Sequence, residues 1–486
     1  MTSRTPVKPM REKQDRKGKL DGESADRDET SDGNQLHRSG SSASELHKSG
    51  ADRIFDVQIH KARSSLLSSA SGYHDYSGFL NLAVLLLVLS NARLLLENII
   101  KYGVLVDHKQ WVTVILRDPH RWPLLTVCVA SNVFVLVALK TEQMLHKKEV
   151  SEKVGMTLQI VNLSAVLVFP ALAVWFLPSY LVAAFATMIM YTMVFLKLTS
   201  YVMVNRWYRL EKNGKISRKQ FKHPEIKDDE KHNIKPGMVA YPDNLTLGNM
   251  YYFYFAPTLC YELNYPRTER IRKIFVLKRV AEILLLTQLE IALVQQWMLP
   301  IINNSVGPLR EADWSRLTER LLKLAIPNHC VWLIGFYLYF HSMPNLMAEL
   351  MRFADREFYR DWWNAETVDE FWRKWNMPVH RWAVRHMFAP LVDNGWKRWQ
   401  AACLVFCMSA FFHEYIVSIP LKLFRVWAFL GMVSQLPVAL FVRKFLKGRL
   451  GNTAVWVSLI IGQPLAVLMY FHDYYIQEKD RLTFIA

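Results

Sequence analysis

Apolar residues in this chain come in long blocks instead of the narrow stripes of a water-soluble helix. Runs of about 20 such residues, the length that crosses a bilayer, recur at 79–100, 123–144, 158–177, 181–201, 276–300, 321–350, 399–420, 426–443 and 455–475. They predict an all-α polytopic membrane protein with about nine transmembrane helices around an intramembrane chamber, flanked by cytosolic amphipathic helices. Pro178-Ser179 splits the third run from the fourth, a hinge so short that the two helices must be antiparallel. The polar stretches between blocks define the remaining organisation. Residues 1–60 are rich in Ser, Gly, Asp, Lys and Arg and poor in large apolar side chains, which predicts a disordered cytosolic tail. Residues 61–486 form the membrane domain, with 353–398 as a Trp-rich cytosolic connector. A charged loop at 205–277 carries Tyr251-Tyr252-Phe253-Tyr254-Phe255, a cluster suited to the headgroup layer.

Charge sets an orientation on this pattern. The chain of 486 residues is 51% hydrophobic and carries a formal charge of +17. Lys147-Lys148, residues 206–273, residues 352–398 and Arg443, Lys444, Lys447 and Arg449 all fall on one side of the predicted topology. The other connectors are less basic, though Lys101, Lys109, Arg310 and Arg316 lie there. That asymmetry predicts a cytosolic N-terminus and a luminal C-terminus, with Asn303-Asn304-Ser305 a poorly used luminal glycosylation sequon. It accounts for the positive charge through membrane lipids and excludes nucleic acid as its reason. The five cysteines form no CxxC pair and read as buried free thiols. Cys403 and Cys407 share a helix face without convergent His or Asp, so no metal is expected.

The candidate chemistry lies in one region. Phe411-Phe412-His413-Glu414-Tyr415 places an ionisable pair inside an apolar run, where charged groups are costly and mark function. His413 suits a general base, because its ordinary pKa lies near operating pH and burial favours the neutral, proton-accepting ring. The bland alternative is a core histidine satisfied by a neighbouring helix. Ser409, one turn earlier, shares its face and is placed to contact or orient the imidazole. Glu414 points about 100° away, which suits a structural pairing better than a triad role. Gln435 and Gln463, also inside apolar runs, either line the chamber or tie helices together. Glu282 and Glu290 sit two turns apart, and Glu282 is expected to pair with Lys278, Arg279 or polar neighbours.

The preceding segment, Phe358-Tyr359-Arg360-Asp361-Trp362-Trp363-Asn364, opens the substrate loop. Thr367-Val368-Asp369-Glu370 has capping-box form and predicts a short helix that Pro378 bends or stops. Asn376 and His380 share a face if that helix continues. Asn376 either donates to a carbonyl oxygen through its amide or is a helix-capping or core asparagine. Arg360, Arg373, Lys374, Arg381, Arg385, Lys397 and Arg398 form a basic rim that suits phosphates. Trp362, Trp363, Trp372 and Trp375 line an acyl entrance or form an interfacial belt.

The strings FYRDWWN at 358–364, Trp375-Asn376 and FFHEY at 411–415 resemble the membrane-bound O-acyltransferase superfamily, and within it the acyl-CoA:diacylglycerol/cholesterol acyltransferase group. APTLCYELN at 256–264, Ile461-Gly462-Gln463-Pro464 and His472-Asp473-Tyr474-Tyr475 are most similar to its type-1 diacylglycerol O-acyltransferase branch. The similarity runs from about residue 60 to the C-terminus. It implies transfer of a fatty acyl chain from acyl-CoA, a co-substrate, to the hydroxyl of 1,2-diacylglycerol in the endoplasmic reticulum membrane, with no cofactor. It implies catalysis by His413 and Asn376, and acyl-CoA contacts on Trp372 to His380 and on Arg398. It also implies a homo-oligomer, dimer or tetramer, built through the N-terminal region, with the stretch near 52–67 docking on a neighbouring protomer. Ala402 departs from the family, which can present a basic group one turn after Arg398. No Gly-x-Ser-x-Gly elbow is present, so direct attack without an acyl-enzyme is the simpler mechanism. Sterol O-acylation is the nearest alternative activity, and lipid transport or scrambling the non-enzymatic one.

Overall fold

The computed structural model describes residues 77–106, 123–177, 179–214, 238–305, 307–308, 311 and 313–485, with side chains up to Tyr474 at the C-terminal end. The tail 1–60, the stretch 52–67 and most of the connector 101–120 lie outside the described residues. The chain divides into two units, residues 1–83 and 84–486. Of the first, only the opening turns of helix α1 are described.

The described residues are helical almost throughout. They contain one isolated antiparallel bridge, Arg267 with Phe353, and no named strand. In chain order the helices are α1 (Ser77–Tyr102), α2 (Pro123–His146), α3 (Glu152–Phe176), α4 (Leu181–Lys212), α5 (Leu247–Phe255), α6 (Lys273–Leu293), α7 (Trp314–Phe336), α8 (Val368–Trp375), α9 (Met377–Ala383), α10 (Arg398–Leu421), α11 (Trp427–Val433), α12 (Gln435–Phe445) and α13 (Arg449–Ile485). Eight helical stretches among the described residues are long and apolar enough to cross a membrane. The predicted span at 276–300 is helical but is not among them. Glu282, Gln288, Glu290, Gln295 and Gln296 dilute its hydrophobicity, so the expected nine becomes eight by that measure.

Three helices widen into a π-helical stretch, and each stretch has the same cause. Val294–Met298 follows α6, Tyr337–Ser342 follows α7, and Val384–Phe388 follows α9. Each is followed by a short helix with proline in its first turn: Pro300, Pro344 and Pro390. A proline ring displaces the carbonyl four residues earlier, and the backbone absorbs the extra residue as a bulge. Gln296, His341 and His386 lie in these widened turns.

Helices α2, α3 and α4 form a mutually packed group, α4 also packs against α10, and α7 packs against α13. Polar side chains tie the first group together inside an apolar surround, as membrane helices do in place of a hydrophobic drive. Arg209 of α4 pairs with Glu142 of α2 and with Glu152 of α3 (2.9 Å). Gln159 and Asn162 of α3 donate to the carbonyls of Ala138 and Phe134 (3.0 Å each). The outer surface is apolar, with Leu284, Leu285, Leu440 and Phe441 all exposed, the composition that lipid requires. Helix α1 exposes nearly every side chain from Val84 to Ile100. Its last turn is held by Gln296, which donates to Asn98 Oδ1 and the Gly103 carbonyl and accepts from Leu105 N.

Candidate active site

The string 358–364 is a brace for the residues that follow it. Arg360 N donates to the Lys374 carbonyl and Met377 N to the Phe358 carbonyl (2.9 Å each), so the two segments lie stitched side by side. Phe358 and Trp362 are buried. The Trp362 ring packs within 6 Å of Trp332, Phe336, Trp363, Phe371, Trp375 and Trp456. Tyr359 is hydrogen-bonded to His341 Nδ1 (2.8 Å). Trp362 is therefore a core hub and does not line an entrance, because a ring packed against six aromatic neighbours leaves no face for a ligand. Trp363 and Asn364 stay exposed at the surface. Helix α13 crosses close by: a side chain at Gly451 would meet the Glu366 carbonyl at 2.3 Å, so only glycine permits the approach.

Helix α8 starts as predicted, with the Thr367 hydroxyl accepting from Glu370 N (3.3 Å). Pro378 does not bend it. The helix ends at Trp375, Asn376 takes an extended backbone (φ −140°, ψ 92°), and Pro378 opens α9. Asn376 is the N-cap of α9: its Oδ1 accepts from Val379 N (3.1 Å). The capping reading holds, and because capping uses the carbonyl oxygen it leaves the Nδ2 amide available as a donor. His380 follows one turn on, its N–H bonded to the Asn376 carbonyl (2.9 Å).

His413 lies about four turns into α10, about 22 Å from its start, and its ring remains exposed. Nδ1 lies 2.7 Å from the Ser409 carbonyl. A carbonyl only accepts, so the neutral ring carries its proton on Nδ1 and presents the Nε2 lone pair. Ser409 thus contacts the imidazole, and it does so through its backbone carbonyl. Phe412, next to His413, and Val379, capped by Asn376, share one apolar cluster with Leu196, Leu259 and Trp382. The helices that carry His413 and Asn376 are therefore packed through common neighbours.

Glu414 is structural, as its helical angle predicted. Its carboxylate accepts from the Ser418 hydroxyl, Val426 N (3.1 Å), Phe429 N (3.0 Å) and the Tyr470 hydroxyl (2.8 Å). It caps the first turn of α11 and ties α10 to α13. Val426 takes a left-handed backbone (φ 53°), strained for a β-branched residue, and this cap holds it there.

Gln435 accepts from Trp372 Nε1 (2.7 Å), joining α12 to α8, while Trp372 faces Phe406 of α10. Gln463 of α13 accepts from Asn328 of α7 (3.5 Å). Asn328, its neighbour His329, and Lys197 were missed by the sequence reading. The available signal was a lone polar or ionisable residue inside an apolar block, the same signal that singled out His413. Lys197 of α4 donates to the carbonyls of Phe253, Ala256 and Thr258 (2.7–2.9 Å), fixing the segment 253–261. Beside it, Ser200 accepts from Tyr261 N (2.8 Å) and is hydrogen-bonded to His386 Nε2 (2.7 Å). Trp382 donates to the Leu196 carbonyl (2.8 Å). One face of α4 thus holds the segment 256–261 and the region just after Asn376. Burial, with Arg385 adding to it, pushes the His386 pKa down to about 3.

The basic rim is not a row of bare cations. Arg360 pairs with Glu357, Arg373 with Asp369, Lys374 with Asp361 and Glu370, Arg381 with Asp355 and Glu357, and Arg385 with Glu262. Hydrogen bonding to Lys374 lowers the Asp361 and Glu370 pKa values, and Arg360 lowers that of Glu357. Arg398 lies over the Phe388 ring (5.5 Å). The expected pairing of Glu282 holds too: it accepts from Arg279 (2.8 Å) and Ser342 (3.0 Å). Any phosphate binding here competes with carboxylates already in place.

Comparison with known sequences places the chain in a family. The sequence profile described as MBOAT, membrane-bound O-acyltransferase family, matches residues 155–472. The chain is 50% identical over 427 residues to Diacylglycerol O-acyltransferase 1 of Bos taurus, covering 88% of this chain and 86% of the relative. It is 51% identical over 423 residues to the Homo sapiens protein of that name, covering 87% and 85%. The Dictyostelium discoideum protein of that name is 36% identical over 420 residues, covering 86% and 65%.

Proposed function

The chain belongs to the membrane-bound O-acyltransferase family, and from that membership we infer its reaction. It is an acyl-CoA-dependent diacylglycerol O-acyltransferase, which moves a fatty acyl chain from acyl-CoA to the free hydroxyl of 1,2-diacylglycerol and yields triacylglycerol and CoA. The names of these relatives favour a diacylglycerol acceptor over a sterol, and an enzyme over a transporter.

His413 is the proposed general base, and one observation carries the proposal: its Nδ1 is committed to the Ser409 carbonyl, which leaves Nε2 as an accessible lone pair deep in an apolar helix. Nε2 takes the hydroxyl proton as the diacylglycerol oxygen attacks the thioester carbon. The Asn376 amide donates to the oxyanion of the tetrahedral intermediate. Collapse breaks the carbon–sulfur bond, and the thiolate leaves with the proton held by His413, so the base is restored. The apolar surround excludes water that would hydrolyse the thioester. Loss of a general base costs about 10²–10⁴-fold in rate. Purified His413→Ala is expected to lose that much turnover while acyl-CoA binding, measured by equilibrium dialysis, persists. Near-normal turnover in a monodisperse variant would exclude the mechanism. Covalent labelling of the protein by acyl-CoA without acceptor would exclude direct attack.

The proposed setting is the endoplasmic reticulum, with a cytosolic N-terminus, a luminal C-terminus and oligomerisation through the N-terminal region; opposite-side termini need an odd number of crossings, so this reading takes α6 with its π-helical extension as a ninth crossing despite its polar side chains. The clustering of basic residues in alternate loops supports the orientation. Protease added to sealed microsomes is expected to remove an N-terminal tag and spare a C-terminal one; the reverse pattern overturns the orientation. Light scattering with and without residues 1–76 tests the role of the tail.

A further inference from the structure

We propose that His329 is a substrate-binding residue for the acceptor lipid, hydrogen-bonding an ester carbonyl of the diacylglycerol glycerol unit. This rests on the diacylglycerol acyltransferase reading and extends it to a residue that lies far in sequence from the Trp-rich segment and from α10.

His329 is held tightly, yet its polar atoms are unused. Its ring stacks on Trp332 (centroids 5.0 Å apart, planes 29° apart) and meets Trp456 edge-on (5.6 Å). Trp332 in turn lies parallel to Trp375 (4.6 Å, 6°), the residue before Asn376. Both ring nitrogens are buried, and no hydrogen-bond partner meets either of them. A phenylalanine here would make the same ring contacts without the cost of burying a donor and an acceptor unpaired. The aromatic packing therefore explains the ring but not the nitrogens.

Position narrows what the nitrogens serve. Asn328, the preceding residue, contacts Gln463 of α13. Gln463 lies about 21 Å along α13 from its start, and His413 lies about 22 Å along α10 from its start. Both helices begin beside the Trp-rich segment: Asn452 of α13 donates to the carbonyls of Trp363 and Ala365, and α10 follows that segment directly in the chain. Asn328, His329 and Gln463 thus form a polar layer at about the depth of the proposed base. Two kinds of polar group belong at that depth during acyl transfer. The thioester offers one carbonyl, and the Asn376 amide is assigned to it. The acceptor offers a hydroxyl, assigned to His413, and two ester groups with no other partner. The neutral imidazole supplies an N–H donor of the kind an ester carbonyl needs.

The test uses the full-length purified protein with 1,2-dioleoylglycerol and oleoyl-CoA. His329→Phe keeps the ring contacts and removes the nitrogens. It is expected to lower kcat/KM for dioleoylglycerol by about 10- to 100-fold, to leave KM for oleoyl-CoA within about twofold, and to leave thermal stability unchanged or higher. His329→Gln, which restores a donor, is expected to recover part of the loss. With 1,2-di-O-hexadecylglycerol, which has no ester carbonyls, wild type and His329→Phe are expected to perform alike. Unchanged kcat/KM for dioleoylglycerol overturns the proposal, as does an equal loss toward both substrates or no recovery by Gln. If His329→Phe does not fold, His329→Gln alone is compared on the ester and ether acceptors, and equal discrimination by it and wild type upholds the proposal while lost discrimination without gain from the donor overturns it. Failure of the wild type to acylate dioleoylglycerol at all would instead sink the underlying activity, so the two failures are separable.

Discussion

Replacing Glu414 by Ala tests how the fold holds His413 in place. The carboxylate receives four hydrogen bonds, from Ser418, Val426 N, Phe429 N and Tyr470. The Ser418 hydroxyl can turn to a backbone carbonyl and Val426 is exposed, so those two bonds are replaceable. The half-buried Phe429 N–H and the hydroxyl of buried Tyr470 are bound to a charged group, and bonds of that kind are worth about 1.5–3 kcal/mol each. Losing both costs about 3–6 kcal/mol. Relief from holding a carboxylate away from water offsets part of this, leaving about 3 kcal/mol. Val426 would also be released from its left-handed backbone, and α11 would separate from α10 and α13 at that turn. Glu414→Ala is therefore expected to unfold several degrees earlier in detergent and to lose at least tenfold in kcat, with acyl-CoA binding retained. Glu414→Gln keeps one acceptor oxygen and is expected to fall between. The measurements are differential scanning fluorimetry and steady-state turnover on monodisperse protein. If Glu414→Ala keeps both its melting temperature and its kcat, the carboxylate is not the tie that positions α10.

The rim makes a second prediction. Lys374→Met removes the counter-charge of Asp361 and Glu370, so KM for acyl-CoA is expected to rise several-fold through exposed negative charge, and added salt should narrow the gap to wild type. The melting temperature should hardly move, since these carboxylates are exposed or partly exposed and such pairs contribute little; an unchanged KM at low salt would refute the electrostatic account. A third concerns pH. His386 has a folded pKa of about 3 against about 6.5 unfolded. The unfolded chain takes up the proton first, so stability is full above about pH 6.5 and falls as pH drops toward 3, by about 2 kcal/mol at pH 5. His386→Asn is expected to flatten that slope in melting temperatures measured from pH 7.5 to 5, and parallel slopes would show that other groups cause it.

The membrane class, the positions of most spans and the candidacy of His413 as the proposed base are legible in the amino-acid order alone. Each of these is local: a block of apolar residues long enough to cross a bilayer, or an ionisable side chain set inside one, is visible without knowing what lies beside it. The helical angle between His413 and Glu414 also follows from backbone geometry alone, and it separated their roles. Partnerships across the chain emerge only once the helices are assembled. Several partners of the rim, Glu357 for Arg360, Asp369 for Arg373 and Glu370 for Lys374, lie within one helical turn and were legible locally, whereas Glu262, the partner of Arg385, lies far away in sequence and emerges only in the fold. Trp362 read as an entrance or interfacial-belt residue because nothing local shows five aromatic rings converging on it from α7, α8 and α13. Asn376 was ambiguous until Pro378 proved to open a helix instead of bending one, since the next turn decides whether its oxygen is consumed by a cap. His329 passed unnoticed for the same reason: a single polar residue in an apolar block gains meaning only when the neighbouring helices are in place and its nitrogens are found unpaired.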